Sequence, residues 1–272
     1  MVASMAGFAI EDVFLKAAVK SIPLGEALGL YGALGLLAFI GLTLARGEAI
    51  FAPAFLFRPI LIRSGFEVTG RMFYALAFTL TPLTSATAIL QATPLLVVAG
   101  AGLFFGEKIS LWRWLAILAG FVGVLLILRP GFAGYSALSL LAVVGMIGFA
   151  GRDLATRAAP PALSNMQLGV AGFTMLTLVG IGLSVFNGGA HWPTLPVAGL
   201  LVGATLSGVV AYYALTIAMR TGQVGAVTPF RYTRLVFALI LGATVFGERP
   251  DALMLLGSAI VVGSGVLALM RR

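Results

Sequence analysis

Apolar residues run along this chain in long continuous stretches. Charged or Pro/Gly-rich breaks divide them into ten segments, roughly 3–19, 24–45, 58–79, 82–105, 110–128, 135–156, 161–186, 194–218, 223–246 and 251–270. Most are about 20 residues long, the length of helix that crosses ~30 Å of hydrocarbon. Strands of a membrane β-barrel would alternate with a period of two, so a barrel is disfavoured. The connections are short, as between antiparallel neighbours in a bundle, and only 46–57 and 187–193 form longer loops. The pattern predicts an all-α integral membrane protein with ten transmembrane helices. The first segment is abbreviated and lacks the basic leader and cleavage site of a signal peptide, so part of a native N-terminal tail is expected to be missing.

Composition narrows the function. Of 272 residues, 60% are apolar and 10% charged, against about 25% charged in a soluble domain. A soluble enzyme and a free DNA-binding domain are thereby excluded. There is no cysteine and one histidine, His191, so disulfides, thiolate nucleophiles and His/Cys metal clusters have no residues to build them. No catalytic set, metal site or cofactor is expected. The net charge of +8 is a topology signal. With the N-terminus inside, Arg46, Arg58, Arg63, Lys108, Arg113, Arg157, Arg220, Arg271 and Arg272 lie on the cytoplasmic side, and Lys20, Arg129 and Arg249 on the other. That bias orients a membrane protein with both termini cytoplasmic. Charges scattered around the ends of a bundle form no basic face, so no nucleic-acid partner is expected.

The chain also repeats itself. At a shift of about 141 residues, Phe8-Ala9, Asp12 and Lys16 fall on Phe149-Ala150, Asp153 and Arg157. With small slips, Leu28-Gly29 falls on Leu168-Gly169, and Tyr74-Ala75-Leu76 on Tyr213-Ala214-Leu215. Phe105-Gly106-Glu107 falls on Phe246-Gly247-Glu248, and Gly123-Val124-Leu125 on Gly265-Val266-Leu267. Each half, 1–131 and 132–272, holds five spans. Five is odd, so the second half starts on the opposite side of the membrane. Such inverted-topology repeats are typical of secondary transporters, with the substrate site between the halves near the midplane.

The pattern resembles the drug/metabolite transporter superfamily, in its ten-helix members built from two EamA domains. The residues that carry the likeness are Pro82 and Pro94, Phe105-Gly106-Glu107, Trp114 before Gly120 and Gly123, Arg129-Pro130-Gly131, and Phe246-Gly247-Glu248. The resemblance implies alternating access. It also implies export or uptake of amino acids, nucleotide-like metabolites, riboflavin or S-adenosylmethionine. The YddG-type exporters of aromatic and neutral amino acids look most similar. The partners so implied are an amino acid or other small molecule, the lipid bilayer and protons, with the chain working as a monomer. By likeness to small multidrug antiporters, which resemble one half of the fold, Glu11 or Asp12 is a candidate carrier of a coupling proton.

Charges at membrane depth are costly and tend to be paired or functional. The candidates are Glu11, Asp12, Lys16, Glu67, Arg71, Arg152, Asp153, Arg231 and Arg234, four acids against five bases. Glu67 with Arg71, Asp12 with Lys16, and Asp153 with Arg157 stand at i, i+4, where local ion pairs form. Arg231 and Arg234 in span 9 have no acid on their own helix before Glu248. They therefore face a substrate carboxylate in the cavity, or pair with Asp12 and Asp153 from other helices. Thr84, Thr87 and Gln91 form a polar stripe on span 4, and Thr87 and Gln91 coincide through the repeat with Thr228 and Tyr232. Tyr212 and Tyr213 from span 8, with Phe73, Tyr74 and Phe78 from span 3, add aromatic surface suited to an amphipathic metabolite.

The resulting candidate substrate-binding set is Arg231, Arg234, Tyr232, Gln91, Thr87, Tyr74, Phe78, Tyr213 and Asp12. Pro94 and Pro229 interrupt spans 4 and 9 and are hinge candidates. Glu107 and Glu248 precede the next helix, where a carboxylate caps free N–H groups. Trp112, Trp114 and Trp192 are interfacial anchors. Gly120 and Gly123 in span 5, with Gly257 and Gly263 in span 10, suit close helix packing. The absence of Gly-x4-Gly-Lys-Ser/Thr leaves facilitated or ion-coupled movement as the expected energetics. A channel would need a ring of like residues or a carbonyl filter, and an intramembrane enzyme a nucleophile, acid pair or metal cluster; the sequence offers neither.

Overall fold

The computed structural model describes residues 1–106, 109–128, 136–158, 163–186, 192–221 and 228–270. They form α1 (Val2–Ala18), α2 (Leu24–Ala45), α3 (Arg58–Leu80), α4 (Leu83–Leu90), α5 (Thr93–Phe105) and α6 (Leu111–Leu128) in the first half. The second half holds α7 (Leu140–Ala158), α8 (Asn165–Phe186), α9 (Leu195–Thr221), α10 (Thr233–Phe246) and α11 (Ala252–Met270). Short 3₁₀ turns cover Pro53–Leu56, Ala137–Ser139 and Thr228–Tyr232. The protein is an all-helical membrane protein whose ten spans fall into two five-span repeats.

The fourth span is not one helix. It breaks between Leu90 and Thr93 into α4 and α5. Pro94 has no N–H to give the Leu90 carbonyl, and the Thr93 hydroxyl donates to that carbonyl instead, at 2.5 Å. Span 9 is interrupted at the matching place. There the 3₁₀ turn Thr228–Tyr232 leads into α10, and the Thr233 hydroxyl donates to the Phe230 carbonyl at 2.7 Å. Residues 222–227, where the sequence starts this span, lie outside the described residues, as does the side chain of Pro229.

Packing joins the halves rather than separating them. The dominant pairs are α1 with α9, α2 with α8, α3 with α7, and α6 with α11. Exchanging the halves maps this set of pairs onto itself, as a pseudo-two-fold axis requires. In a bilayer, helices associate through close van der Waals contact more than through hydrophobic burial, and glycines provide it here. A Cβ on Gly180 of α8 would collide with the backbone of Gly29 on α2, and one on Gly148 of α7 with that of Gly70 on α3. A Cβ on Gly123 would stand 2.8 Å from the Gly257 carbonyl oxygen, so the glycine stripes of α6 and α11 meet within one chain. Gly120 instead faces Leu95 and Ser264, and Gly263 meets nothing within 4 Å.

Outward faces are apolar. Leu37 is 64% exposed, Leu206 64% and Phe104 77%, as expected of side chains in lipid. Trp112 and Trp192 are exposed near helix ends, the position of interfacial anchors. Among the described residues, six stretches are long and apolar enough to cross a membrane by length and composition, and Ala252–Ala268 of α11 is a shorter apolar helix. Helices α1, α3 and α10 are in neither group. The first two carry the charges Glu11, Asp12 and Lys16, and Arg63, Glu67 and Arg71; α10 is short and carries Arg234.

Candidate substrate site: a charge network between the halves

Those charged faces converge. On α3, Arg63, Glu67 and Arg71 lie one helical turn apart on one stripe. The Glu67 side chain is fully buried and stands 2.9 Å from Arg63 Nη2, 3.5 Å from Arg71 Nε and 3.6 Å from Nη1 of Arg152 on α7. Asp153 accepts from Arg152 at 2.8 Å and from Arg231 at 3.1 Å. Asp12 accepts from Arg234 at 2.6 Å and from the Tyr74 hydroxyl at 2.9 Å. Glu11 is 3.6 Å from Arg71 Nη1. Removing any of these ions from water costs several kcal/mol, which close pairing and hydrogen bonding offset. The sequence left two readings for Arg231 and Arg234. Each pairs with an aspartate, and both also line the cavity.

A cavity opens between the halves. Its wall carries Glu11, Asp12, Arg71, Arg152, Arg231 and Arg234 beside Tyr31, Tyr74, Tyr212, Tyr232, Phe8, Phe78 and Phe149. Gln91, at the α4–α5 break, lines it and donates through Nε2 to the Arg231 carbonyl at 3.0 Å. The two interrupted spans are thereby joined at their matching positions. The Tyr232 ring packs so close to Gly265 that a Cβ there would overlap its hydroxyl, which has no hydrogen-bond partner among the described residues. Met5, Leu15, Leu28, Leu90 and Leu176 supply apolar wall.

Several expectations need correction. Tyr213 does not line the cavity. Its hydroxyl accepts from Arg46 at 2.8 Å, and the Arg46 guanidinium lies over its ring. One residue turns a helix by about 100°, so the adjacent Tyr212 faces inward, accepting from Arg63 at 3.2 Å. Thr87 is fully buried behind Tyr74, 3.1 Å from its hydroxyl, and positions that ring without reaching the cavity. Phe73 is also absent from the wall. Thr84 lies at the far end of its stripe against Met254. Asp12 and Lys16 form no local pair, because Lys16 reaches Glu248 at 2.9 Å and the Thr81 carbonyl at 3.0 Å. The Arg157 side chain lies outside the described residues, and Asp153 is engaged by Arg152 and Arg231 instead.

Glu248 does not cap the helix that follows it. Gly247 takes a left-handed conformation at φ 66°, as does Gly106 in the matching motif, a turn that glycine adopts without a Cβ clash. The Glu248 carboxylate accepts from the N–H groups of Leu83 (2.7 Å) and Thr84 (3.0 Å), capping α4 in the other half. Helix α11 is capped by Asp251, which accepts from the Met254 N–H at 2.9 Å. Burial alone would raise the Glu248 carboxyl, but the two backbone N–H groups and Lys16 hold it below the usual carboxylate range. Glu107 lies outside the described residues.

The model of the EamA-like transporter family matches residues 1–129 and again residues 133–270. The chain belongs to the EamA-like transporter family. This EamA-like protein is 30% identical over 185 residues to a riboflavin transporter of Rhizobium johnstonii, covering 68% of this chain and 61% of that protein. It is 27% identical to an S-adenosylmethionine uptake transporter of Rickettsia bellii, over 71% of this chain and 66% of the relative. These two matches thus span less than two thirds of the relatives. A pseudopaline exporter of Pseudomonas aeruginosa is 28% identical over 263 residues, covering 94% of this chain and 89% of the exporter. One protein of known crystal structure superposes with a TM-score of 0.68 at 22% identity, over 99% of both chains, a likeness of fold. None of the three named relatives is an amino-acid exporter.

Proposed function

We propose that this EamA-like transporter moves a nucleotide-like metabolite or vitamin across the bacterial inner membrane by alternating access. Both termini face the cytoplasm in this reading, following the bias of basic residues. The carrying observation is the cavity itself: paired charges and aromatic rings line one space where two interrupted helices meet between the halves. Aromatic faces from Phe8, Tyr74, Phe78 and Tyr232 suit a planar ring, while Gln91 and the Arg231 and Arg234 edges supply polar contacts. Asp12 and Thr87 position Arg234 and Tyr74. The named relatives that carry riboflavin and S-adenosylmethionine support this substrate class. Breaks at Pro94 and Pro229 act as hinges. Of the two acids proposed for proton coupling, Glu11 suits the role better. Its Oε2 has no hydrogen-bond partner among the described residues, whereas Asp12 is held by Arg234 and Tyr74.

Export of an aromatic or neutral amino acid is the second reading. It uses Arg231 or Arg234 as a carboxylate clamp, although each already holds an aspartate. Reconstituted liposomes given labelled riboflavin and its 5′-phosphate, nucleosides and their 5′-monophosphates, and amino acids decide between them. Saturable flux with counterflow is expected for a ring-bearing metabolite, weakened by Arg231→Ala and Gln91→Ala. Flux confined to amino acids would sink the leading reading. PH-gradient-driven flux that survives Glu11→Gln would remove the proton role.

A further inference from the structure

The buried cluster is not balanced. Among the described residues it joins Arg63, Arg71, Arg152, Arg231 and Arg234 to Glu11, Asp12, Glu67 and Asp153, five guanidinium groups against four carboxylates. Distance sets one of the five apart. Arg63, Arg152, Arg231 and Arg234 each have a carboxylate oxygen within 3.1 Å. The carboxylates nearest Arg71 are Glu67 at 3.5 Å and Glu11 at 3.6 Å, and its buried Nε makes no hydrogen bond among the described residues. It lines the cavity with its side chain 12% exposed. A desolvated guanidinium whose nearest carboxylates stand this far off keeps N–H capacity for an anion.

Resting on the transport reading above, we infer that the substrate enters as an oxyanion, a carboxylate or a phosphate, and that Arg71 is its anchor. A planar guanidinium presents two parallel N–H groups to such a group, a fork that lysine lacks. Glu11 and Glu67 hold the guanidinium from two sides without meeting its hydrogen-bonding capacity. The anion completes that capacity and neutralises the cluster. Molecules of the same shape without an ionised oxyanion leave Arg71 unsatisfied, so that group becomes the first filter on what the cavity accepts.

The test uses ligand pairs that differ in one ionised group: riboflavin and its 5′-phosphate, adenosine and its 5′-monophosphate, and N-acetylphenylalanine amide and N-acetylphenylalanine. Binding is read as the shift in melting temperature of the purified full chain. For at least one pair, the anionic member should stabilise wild type at a concentration at least tenfold lower than its neutral partner. Arg71→Gln should abolish that preference. Arg71→Lys, which keeps the charge and loses the fork, should weaken anion binding several-fold. Equal or better response to every neutral member overturns the inference. So do an undiminished preference in Arg71→Lys or Arg71→Gln, and the absence of any response to the anions. Liposome flux separates this inference from the transport reading. Saturable flux without anion preference defeats the anchor alone; anion binding with no saturable flux of any compound defeats transport alone.

Discussion

Replacing Glu248 by alanine removes three interactions at once. The Leu83 and Thr84 N–H groups lose their acceptor at the start of α4, and Lys16 loses its carboxylate. Hydrogen bonds to a charged group contribute about 1.5–3 kcal/mol each, and loss of a helix cap alone costs about 0.5–2 kcal/mol. Lys16 keeps the Thr81 carbonyl and its place over the Phe246 ring, so its loss is partial. The expected cost is about 3–5 kcal/mol, in the range for breaking a largely buried pair. Glutamine retains one oxygen acceptor for a backbone N–H, and Glu248→Gln should cost about half as much. Denaturant-driven unfolding in mixed micelles measures both variants, and a double-mutant cycle with Lys16→Met isolates the cross-half pair. A Glu248→Ala cost under 1 kcal/mol, or zero coupling to Lys16, would refute the claim that this contact ties the two halves.

The same carboxylate predicts a pH dependence. Its folded-state pKa lies below the ordinary value of 4.5, so its contribution is present above that pH and is lost as pH falls through the lower folded value. Wild type and Glu248→Gln should therefore converge in melting temperature below pH ~4.5 and differ fully near pH 7. Asp12→Asn leaves Arg234 without its close carboxylate and should cost about 3–5 kcal/mol in unfolding free energy, with part regained in Asp12→Asn/Arg234→Gln. Gly148→Leu should abolish a monodisperse elution profile by forcing α7 away from α3, whereas Gly182→Ala, with nothing within 4 Å, should elute as wild type. Tyr212→Phe should alter substrate affinity in a binding assay, and Tyr213→Phe should not.

Helix positions and the duplication were legible because hydropathy runs and local motifs are local properties. Even failures of hydropathy carried information, since α1 and α3 lose apolar character by holding charges that the interior needs. The i, i+4 stripe of Arg63, Glu67 and Arg71 could be read from spacing alone. Partner choice could not. Asp153 finds Arg231 78 residues away, and Asp12 finds Arg234 at a separation of 222. Spacing offered Lys16 to Asp12, but tertiary packing gave it to Glu248. Tyr213 was misassigned because the slipped alignment of the halves selects the wrong neighbour, and one residue on a helix exchanges interior for exterior. Tyr31 could be placed in the wall only once the α2–α8 pairing was known, and Tyr212 chosen over Tyr213 only once the α1–α9 pairing was.

The cross-half pairing has a consequence for how the chain is made. When α1, α2 and α3 enter the bilayer, their main packing partners α9, α8 and α7 have not yet been synthesised. Asp12 must wait for Arg234, and Arg63 and Arg71 have only the acids of the first half until α7 arrives. The first five spans therefore sit in the lipid with glycine seams unfilled and charges under-neutralised, a stage at which insertion machinery and water defects must shield them. Assembly is completed only by the last helices to emerge, so a lesion late in the chain leaves the earliest segments as vulnerable to quality control as the latest.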